Sequence, residues 1–280
     1  MKIKAIKLMG FILILGAVIA GCSFYKSYNE GAKQDTDSAV ETSASDADLS
    51  FGVFGDVHNY TDNFKDAVDD FYDINPKMDA LVLNGDAVDQ GIDEQYDSMK
   101  KAIEKNSKKI PEILIKNIGN HEFYNYSTGG NTQEDINDYI SKYLDFSGTE
   151  KVYHDKWIKG YHFISLGSDE TTNAEDLDTT QASLSEEQLS WFKEKLKEEY
   201  TKGKPIFVFL HQAIFTDFFG EDWHGVRQGD EFTDILKDYP EVIIFSSHDH
   251  KDFADDSIHE NMPYTMAYTG AVGYTLFRDE

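Results

Sequence analysis

Asp79-Ala80-Leu81-Val82-Leu83-Asn84-Gly85-Asp86-Ala87-Val88-Asp89 is the stretch whose reading decides the fold. Ala80 to Leu83 is a short apolar run of the kind that forms a buried parallel strand. It stops at Asn84-Gly85-Asp86, where glycine permits a tight turn. Asp86 then sits at the carboxyl end of a core strand, the place where open α/β sheets bind ligands. Alone, Asn-Gly-Asp after a strand is an ordinary turn. Four further strand-like runs, however, also end in metal-ligating residue types. Phe51 to Gly55 precedes Asp56-Val57-His58, and Ile113 to Ile118 precedes Gly119-Asn120-His121-Glu122. Ile206 to Leu210 precedes His211, and Val242 to Phe245 precedes Ser246-Ser247-His248-Asp249-His250.

In this order and separation, Asp-x-His, Gly-Asp-x-x-Asp, Gly-Asn-His-Glu, a lone His and His-x-His resemble the calcineurin-like metallophosphoesterase family. The resemblance runs from about Leu49 to the C-terminus. It implies an α/β fold, specifically a four-layer αββα sandwich of two mixed sheets flanked by helices. It also implies a dinuclear centre. Asp56, His58, Asp86 and His250 would hold one metal, and Asp86, Asn120, His211 and His248 the other, with Asp86 bridging. His121 would touch substrate instead, stabilising the transition state or protonating the leaving oxygen, a task suited to a histidine side chain. A small phosphate mono- or diester would be hydrolysed by a metal-bridging hydroxide, with no covalent enzyme intermediate.

The donor set is consistent with that chemistry. Oxygen and imidazole ligands together suit Mn, Fe or Zn better than Ca or Mg. Two dications bring about +4 and the two carboxylates return about -2, which leaves charge to attract a phosphate and a hydroxide. Asp89, the last residue of Gly-Asp-x-x-Asp, is read as lying behind the ligands. His154, His162 and His259 fit no motif and are read as structural or surface residues. Trp223, His224 and Arg227 are read as core or surface residues before pocket lining. The family usually has glycine before its final His-x-His; this chain has Ser247, and if that backbone needs positive φ, serine costs on the order of 1 kcal/mol.

At 280 residues, the chain can bury a substantial core. Its formal net charge is -26, and such a surface repels a phosphate backbone, so long nucleic acid is not an expected partner. The three lysines of the first 22 residues (Lys2, Lys4 and Lys7) precede the uncharged run Leu8 to Tyr25, which reads as an export signal. Ile19-Ala20-Gly21-Cys22 resembles a bacterial lipobox, which implies cleavage before Cys22 and lipid on its sulfur. An uncleaved anchor is the competing reading, since these 18 uncharged residues are long enough to span a bilayer. Either way, the rest lies outside the cytoplasmic membrane, anchored to it. Cys22 is the single cysteine, so no intramolecular disulfide forms. Residues 23–48 are polar and read as a disordered tether with a reach of roughly 28 Å. The catalytic domain is then 49–280.

Within it, helical spacing covers Asn63 to Ile74, Asp93 to Asn106 and Thr132 to Tyr143. Ser185 to Tyr200 opens with the capping-box pair Ser185 and Gln188. Val152 to Ile158 and Tyr161 to Ser165 form a hairpin turned at Lys159-Gly160. The loop Phe123 to Asn131 should border the site. Tyr264 to Tyr268 and Tyr274 to Phe277 read as closing strands, and the nearness of the chain end points to a short second sheet. A reading from another class is a membrane-tethered binding lipoprotein on the same scaffold, without turnover. Loss of a ligand or of His121 would favour it, and none is lost. Hydrolysis of a non-phosphate ester or anhydride by the same metals is a third.

Overall fold

The computed structural model describes residues 48–128, 131–169, 180–214, 225–250, 257–259 and 263–276. The signal segment, Cys22, nearly all of the tether, Trp223 and His224 therefore lie outside the described residues.

The first half is β-α-β-α-β. Strands β1 (Phe51–Phe54), β2 (Ala80–Asn84) and β3 (Ile113–Asn117) pair in parallel in that order. Helices α1 (Thr61–Ile74) and α2 (Asp93–Lys105) are the crossovers, and α3 (Gln133–Ser147) follows. A second sheet holds β4 (His154–Ile158), β5 (Tyr161–Ser165), β6 (Ile206–Phe209), β7 (Val242–Ser246), β8 (Ile258–His259) and β9 (Thr265–Tyr268), in the order β4-β5-β6-β7-β9-β8. Its centre is parallel and both edge strands, β4 and β8, run antiparallel. Helices α4 (Glu186–Lys197) and α5 (Gly229–Leu236) belong to this half. With six strands this sheet is the larger, which corrects the expectation of a short one.

Period-two alternation builds the layers. Phe51, Val53, Ala80, Val82 and Ile115 face Phe163, Phe207, Phe209, Phe245 and Ala267 in one buried cluster between the sheets. The alternate residues Phe54, Leu81 and Leu83 pack with Phe64, Val68 and Phe71 of α1 and Met99 of α2. On the other side, Val208 and Ile244 pack with Leu189 and Phe192 of α4 and Phe232 of α5. The result is the αββα sandwich. Phe51 lies at its centre, with the rings of Phe163, Phe207, Phe245 and Phe209 at 4.9, 4.8, 5.7 and 6.2 Å.

Three local details differ from expectation. Ser185 caps α4 by accepting from the Gln188 N–H at 3.0 Å, but the Gln188 amide turns to the backbone of Gly167, so the box is half made. A complete box occurs at α3, between Thr132 and Asp135. That helix continues past Tyr143 to bury Phe146 and ends at Gly148 in the left-handed region. Tyr274 to Leu276 is irregular, because its backbone serves the site: the Tyr274 carbonyl accepts from His250 Nδ1 (2.9 Å) and the Leu276 N–H donates to the His250 carbonyl (3.0 Å).

Phe51→Ala would leave a cavity that four packed rings are poorly placed to fill. Denaturant titration should show a loss of about 3–5 kcal/mol. A loss below about 1 kcal/mol would contradict the central position given to Phe51.

Candidate metal centre

All three strands of the first sheet point their carboxyl ends the same way, as do β6 and β7 of the second. Gly55, just after β1, forms a parallel bridge with Ala271 beyond β9, so the two sheets share one functional edge. Asp56, Asp86, Asn120, His211, His248 and His250 all follow directly from these strands, and His58 lies one turn beyond Asp56.

The structure brings the seven together. Asp56, His58, Asp86 and His250 offer ligand atoms that lie within 4.8 Å of one another, and so do Asp86, His211 and His248. Asp86 belongs to both groups. Asn120 joins the second, with its Oδ1 2.8 Å from His248 Nδ1. His58 and His250 face each other Nε2 to Nε2 at 2.9 Å. His211 Nε2 is 3.2 Å from Asp86 Oδ2 but is not aligned to donate to it.

Tautomers follow from the partners, because a carbonyl only accepts. His211 Nδ1–H donates to the Asn84 carbonyl (2.8 Å) and His250 Nδ1–H to that of Tyr274 (2.9 Å). Nε2 of each ring is thereby the nitrogen turned to the cluster, the arrangement that orients a metal-binding imidazole once Nε2 carries no proton. His121 Nδ1 likewise donates to the Asp89 carbonyl at 3.0 Å. Asp89 Oδ1 sits 3.4 Å from His121 Nδ1 and 3.5 Å from His58 Nδ1, behind the ligand-bearing edge.

The electrostatics show what is short. Asp56, Asp86 and His211 are fully buried or nearly so. Burial raises the Asp56 carboxyl above its usual range. Burial also opposes ionisation of Asp86, but His211, His121 and His58 together hold it well below that range. Burial lowers His58 to about 3, so its ring is neutral. Burial would lower His211 too, yet Asp86 and Asp56 push it up to about 10. Its proton supplies positive charge to two buried carboxylates. Four imidazoles, two carboxylates and one amide oxygen around that position fit divalent metal ions. Among the described residues no lysine or arginine pairs with Asp56, Asp86 or Asp89.

The backbone is strained where the ligands sit. Asp56, His58, Asp86, His248 and His250 all have φ between 48° and 73°. Left-handed conformations at non-glycine residues cost energy and cluster at functional sites. Ser247 is not among them, so the penalty foreseen for it does not arise. Its hydroxyl meets Thr269 Oγ1 at 2.7 Å and accepts from Asn84 Nδ2 at 3.2 Å. Asn84 Nδ2 also donates to the Phe245 carbonyl and Asn84 Oδ1 accepts from Asn117, so a polar chain ties the two sheets beneath the ligands. Two motif glycines are explained by contact: a Cβ on Gly85 would lie 2.4 Å from His211 Nδ1, and one on Gly119 2.2 Å from Asp86 Oδ1.

Sequence reasoning gave Glu122 no role. It is fully buried, and its carboxylate accepts from the N–H groups of Asp86 (3.1 Å), Ala87 (2.8 Å) and Gly119 (2.6 Å). Burial and the Asp86 charge push its carboxyl up to about 8, while the backbone donors pull the other way. The signal was its place directly after His121 in the motif. Asn84, Tyr60 and Tyr274 had no sequence signal as site residues, whereas Tyr124, 4.4 Å from His121, and Tyr126 lie in the loop expected to border the site. His162 is buried and bonded to Asp155 (2.9 Å), with Glu198 nearby; there Lys195 Nζ lies 3.2 Å from Asp155 and 2.9 Å from Glu198 and supplies the cation. His154 and His259 lie on the edge strands β4 and β8, and the Arg227 N–H bonds to the Ala182 carbonyl.

The chain belongs to the calcineurin-like phosphoesterase family, whose model matches residues 49–252. It is thus a hydrolase of phosphoric esters, and the buried cluster is its dinuclear metal centre. Among solved structures it is similar to a dimetal phosphatase from Danio rerio, at 16% identity and a TM-score of 0.54, over 80% of this chain and 88% of that one. A purple acid phosphatase from yellow lupin seeds is similar at 13% identity and 0.51, over 82% and 48%. GAP50, the anchor in the inner membrane complex of Plasmodium, is similar at 12% and 0.53, over 83% and 76%. At these identities the likeness is one of fold. No curated protein matches this chain.

Glu122→Ala would strand three buried backbone donors and free the turn that carries Asp86. Metal affinity should fall about 10- to 100-fold, as for other supports of metal ligands. Thermal unfolding should show a lower midpoint in the same variant, whereas an unchanged metal titration would refute this role.

Proposed function

We propose that the protein is an exported phosphate mono- or diesterase in which Asp56, His58, Asp86 and His250 hold one divalent ion. Asp86, Asn120, His211 and His248 hold the second, and His121 assists the leaving group. The observation that carries this reading is the position of Asp86, shared by two ligand groups whose remaining members come from both sheets. The donor set favours Mn, Fe or Zn.

When bound, the ions supply positive charge for the phosphoryl oxygens and a water whose pKa falls toward about 7. The chain's residues do the rest. Asn120 and the histidines offer lone pairs without cancelling that charge. His211 must yield its Nε2 proton to coordinate, so metal affinity should rise with pH through neutrality. His121 is fixed through Nδ1 by Asp89, which leaves Nε2 to pass a proton to the departing oxygen. Its side chain keeps 16% exposure, enough to meet a substrate from the mouth.

Elemental analysis of Mn- or Zn-loaded protein should give two metals per chain; one or none would sink the dinuclear assignment. Asp86→Ala should lose metal and activity together. His121→Ala should keep both metals while turnover of an alkyl phosphate drops about 10²–10⁴-fold, with a smaller loss for good leaving groups. Metal loss in His121→Ala would make it a ligand, and full activity on an alkyl phosphate would remove its acid role.

For the N-terminus, the lipobox-like Ile19-Ala20-Gly21-Cys22 supports acylation of Cys22 and tethering of the domain to the outer face of the membrane. One acyl chain binds only marginally at about 0.8 kcal/mol per buried CH₂, so stable anchoring needs two or more. Mass spectrometry of the membrane fraction should find a chain beginning at lipid-modified Cys22. Recovery of intact Met1 would instead support an uncleaved anchor.

A further inference from the structure

Six large apolar side chains are exposed among the described residues, and four of them, Tyr60, Tyr126, Tyr274 and Leu276, flank the metal centre. Tyr60, Tyr126 and Tyr274 are 49, 62 and 40% exposed. Concentrated exposed apolar surface marks a binding site. These rings stand on two sides of the site and connect through the partly exposed His121 and the buried His58. Tyr60 lies 6.1 Å from Tyr274, Tyr274 5.3 Å from His58, and His58 4.3 Å from His121. His121 lies 4.4 Å from Tyr124, and Tyr124 6.3 Å from Tyr126. Tyrosines thus extend the aromatic surface on both sides of the ring assigned to the leaving group.

Each end of the strip is held in place. Tyr274 stacks on His250 at 4.3 Å, and Tyr126 donates its hydroxyl to Asp89 at 3.2 Å. A tyrosine phenol, with an ordinary pKa of about 10, is neutral near pH 7. The rings are tilted to one another, by 65° between Tyr60 and Tyr274 and 47° between Tyr124 and Tyr126, so each can offer its own face to a planar group, and the chain's net charge of -26 disfavours a polyanionic leaving group. Tyrosine offers large rigid contact area at low entropic cost.

We infer that the strip of Tyr60, Tyr274, Tyr124 and Tyr126 receives a planar aromatic heterocycle carried by the leaving group, making the substrate class nucleotide-like phosphate esters. The inference rests on the phosphoesterase reading and narrows it. Metals and ligands act on the phosphate end; the tyrosines select what the phosphate is attached to.

Adenosine 5′-monophosphate and ribose 5-phosphate share the scissile bond and differ in the base, so their comparison isolates the strip. With the Mn-loaded full chain, kcat/KM should favour the nucleotide by about tenfold or more, the scale of base–aromatic stacking. The ratio should collapse toward one in the Tyr60→Ala, Tyr126→Ala double variant. It should survive Tyr60→Phe with Tyr126→Phe, which keeps the rings and removes the hydrogen bond to Asp89. Equal turnover of both esters by the wild type, or a preference that survives the double alanine variant, overturns the inference and leaves the phosphoesterase reading intact. If neither ester turns over, that reading fails on these substrates, and calorimetry of the same two ligands on metal-loaded protein decides the strip. Tighter binding of the nucleotide supports it, and equal binding overturns it.

Discussion

Asp56 and Asp86 are two carboxylates buried side by side at the meeting line of two sheets, and much of the structure follows from having to keep them there. Each loses its hydration on folding, which costs several kcal/mol unless compensated. The compensation is local. The His248 N–H donates to both oxygens of Asp56 at 3.1 Å, and the His121 N–H donates to Asp86 at 2.9 Å. His211 approaches both carboxylates, at 3.8 and 3.2 Å. Every one of these groups is itself part of the proposed catalytic set. Bound dications would replace the positive charge that the His211 imidazolium supplies, which would couple metal binding to the integrity of this edge.

The same constraint explains the strain. Ligands carried on strand ends would fan out along the strand directions. Bending the chain back toward a common point requires left-handed turns at Asp56, His58, Asp86, His248 and His250. Such conformations persist only where surrounding contacts over-determine them. Here the surrounding contacts are the Glu122 carboxylate under Asp86, the Tyr274 carbonyl behind His250, and the Asn117–Asn84–Ser247–Thr269 chain joining the sheets. The aromatic core centred on Phe51 gives this edge a rigid base, since close-packed interiors deform little.

The sequence made the strands, their order and all seven ligand candidates legible, because each strand is a short apolar run that ends abruptly in a polar motif. Helix faces were equally readable from their spacing, with ends shifted by a few residues where capping decides, as at Gly148. What stayed hidden depended on contacts between distant segments. The size of the second sheet rests on antiparallel edge strands as short as Ile258–His259, which carry little pattern. Tyr274–Leu276 looks like a strand because it alternates, yet its backbone is committed to His250. Gln188 sits where a capping box wants it but finds a better partner in Gly167. Ser247 looked costly because the site of strain was placed one residue too early: the left-handed residue is His248, with φ 73°.

Division of labour at the site follows from its charges. Every described ionic partner of Asp56, Asp86 and Asp89 is a histidine. Among the described residues, the positive charge that would draw a phosphate to this edge of a protein of net charge -26 is that of the metals the site would hold. That attraction is short-ranged in salt, falling off over about 8–10 Å. It recognises the phosphoryl group and says little about its substituent. On the reading proposed above, discrimination between esters comes from the tyrosines beside the metal centre. On the side formed by Tyr60 and Tyr274, and on the side formed by Tyr124 and Tyr126, the surface is aromatic.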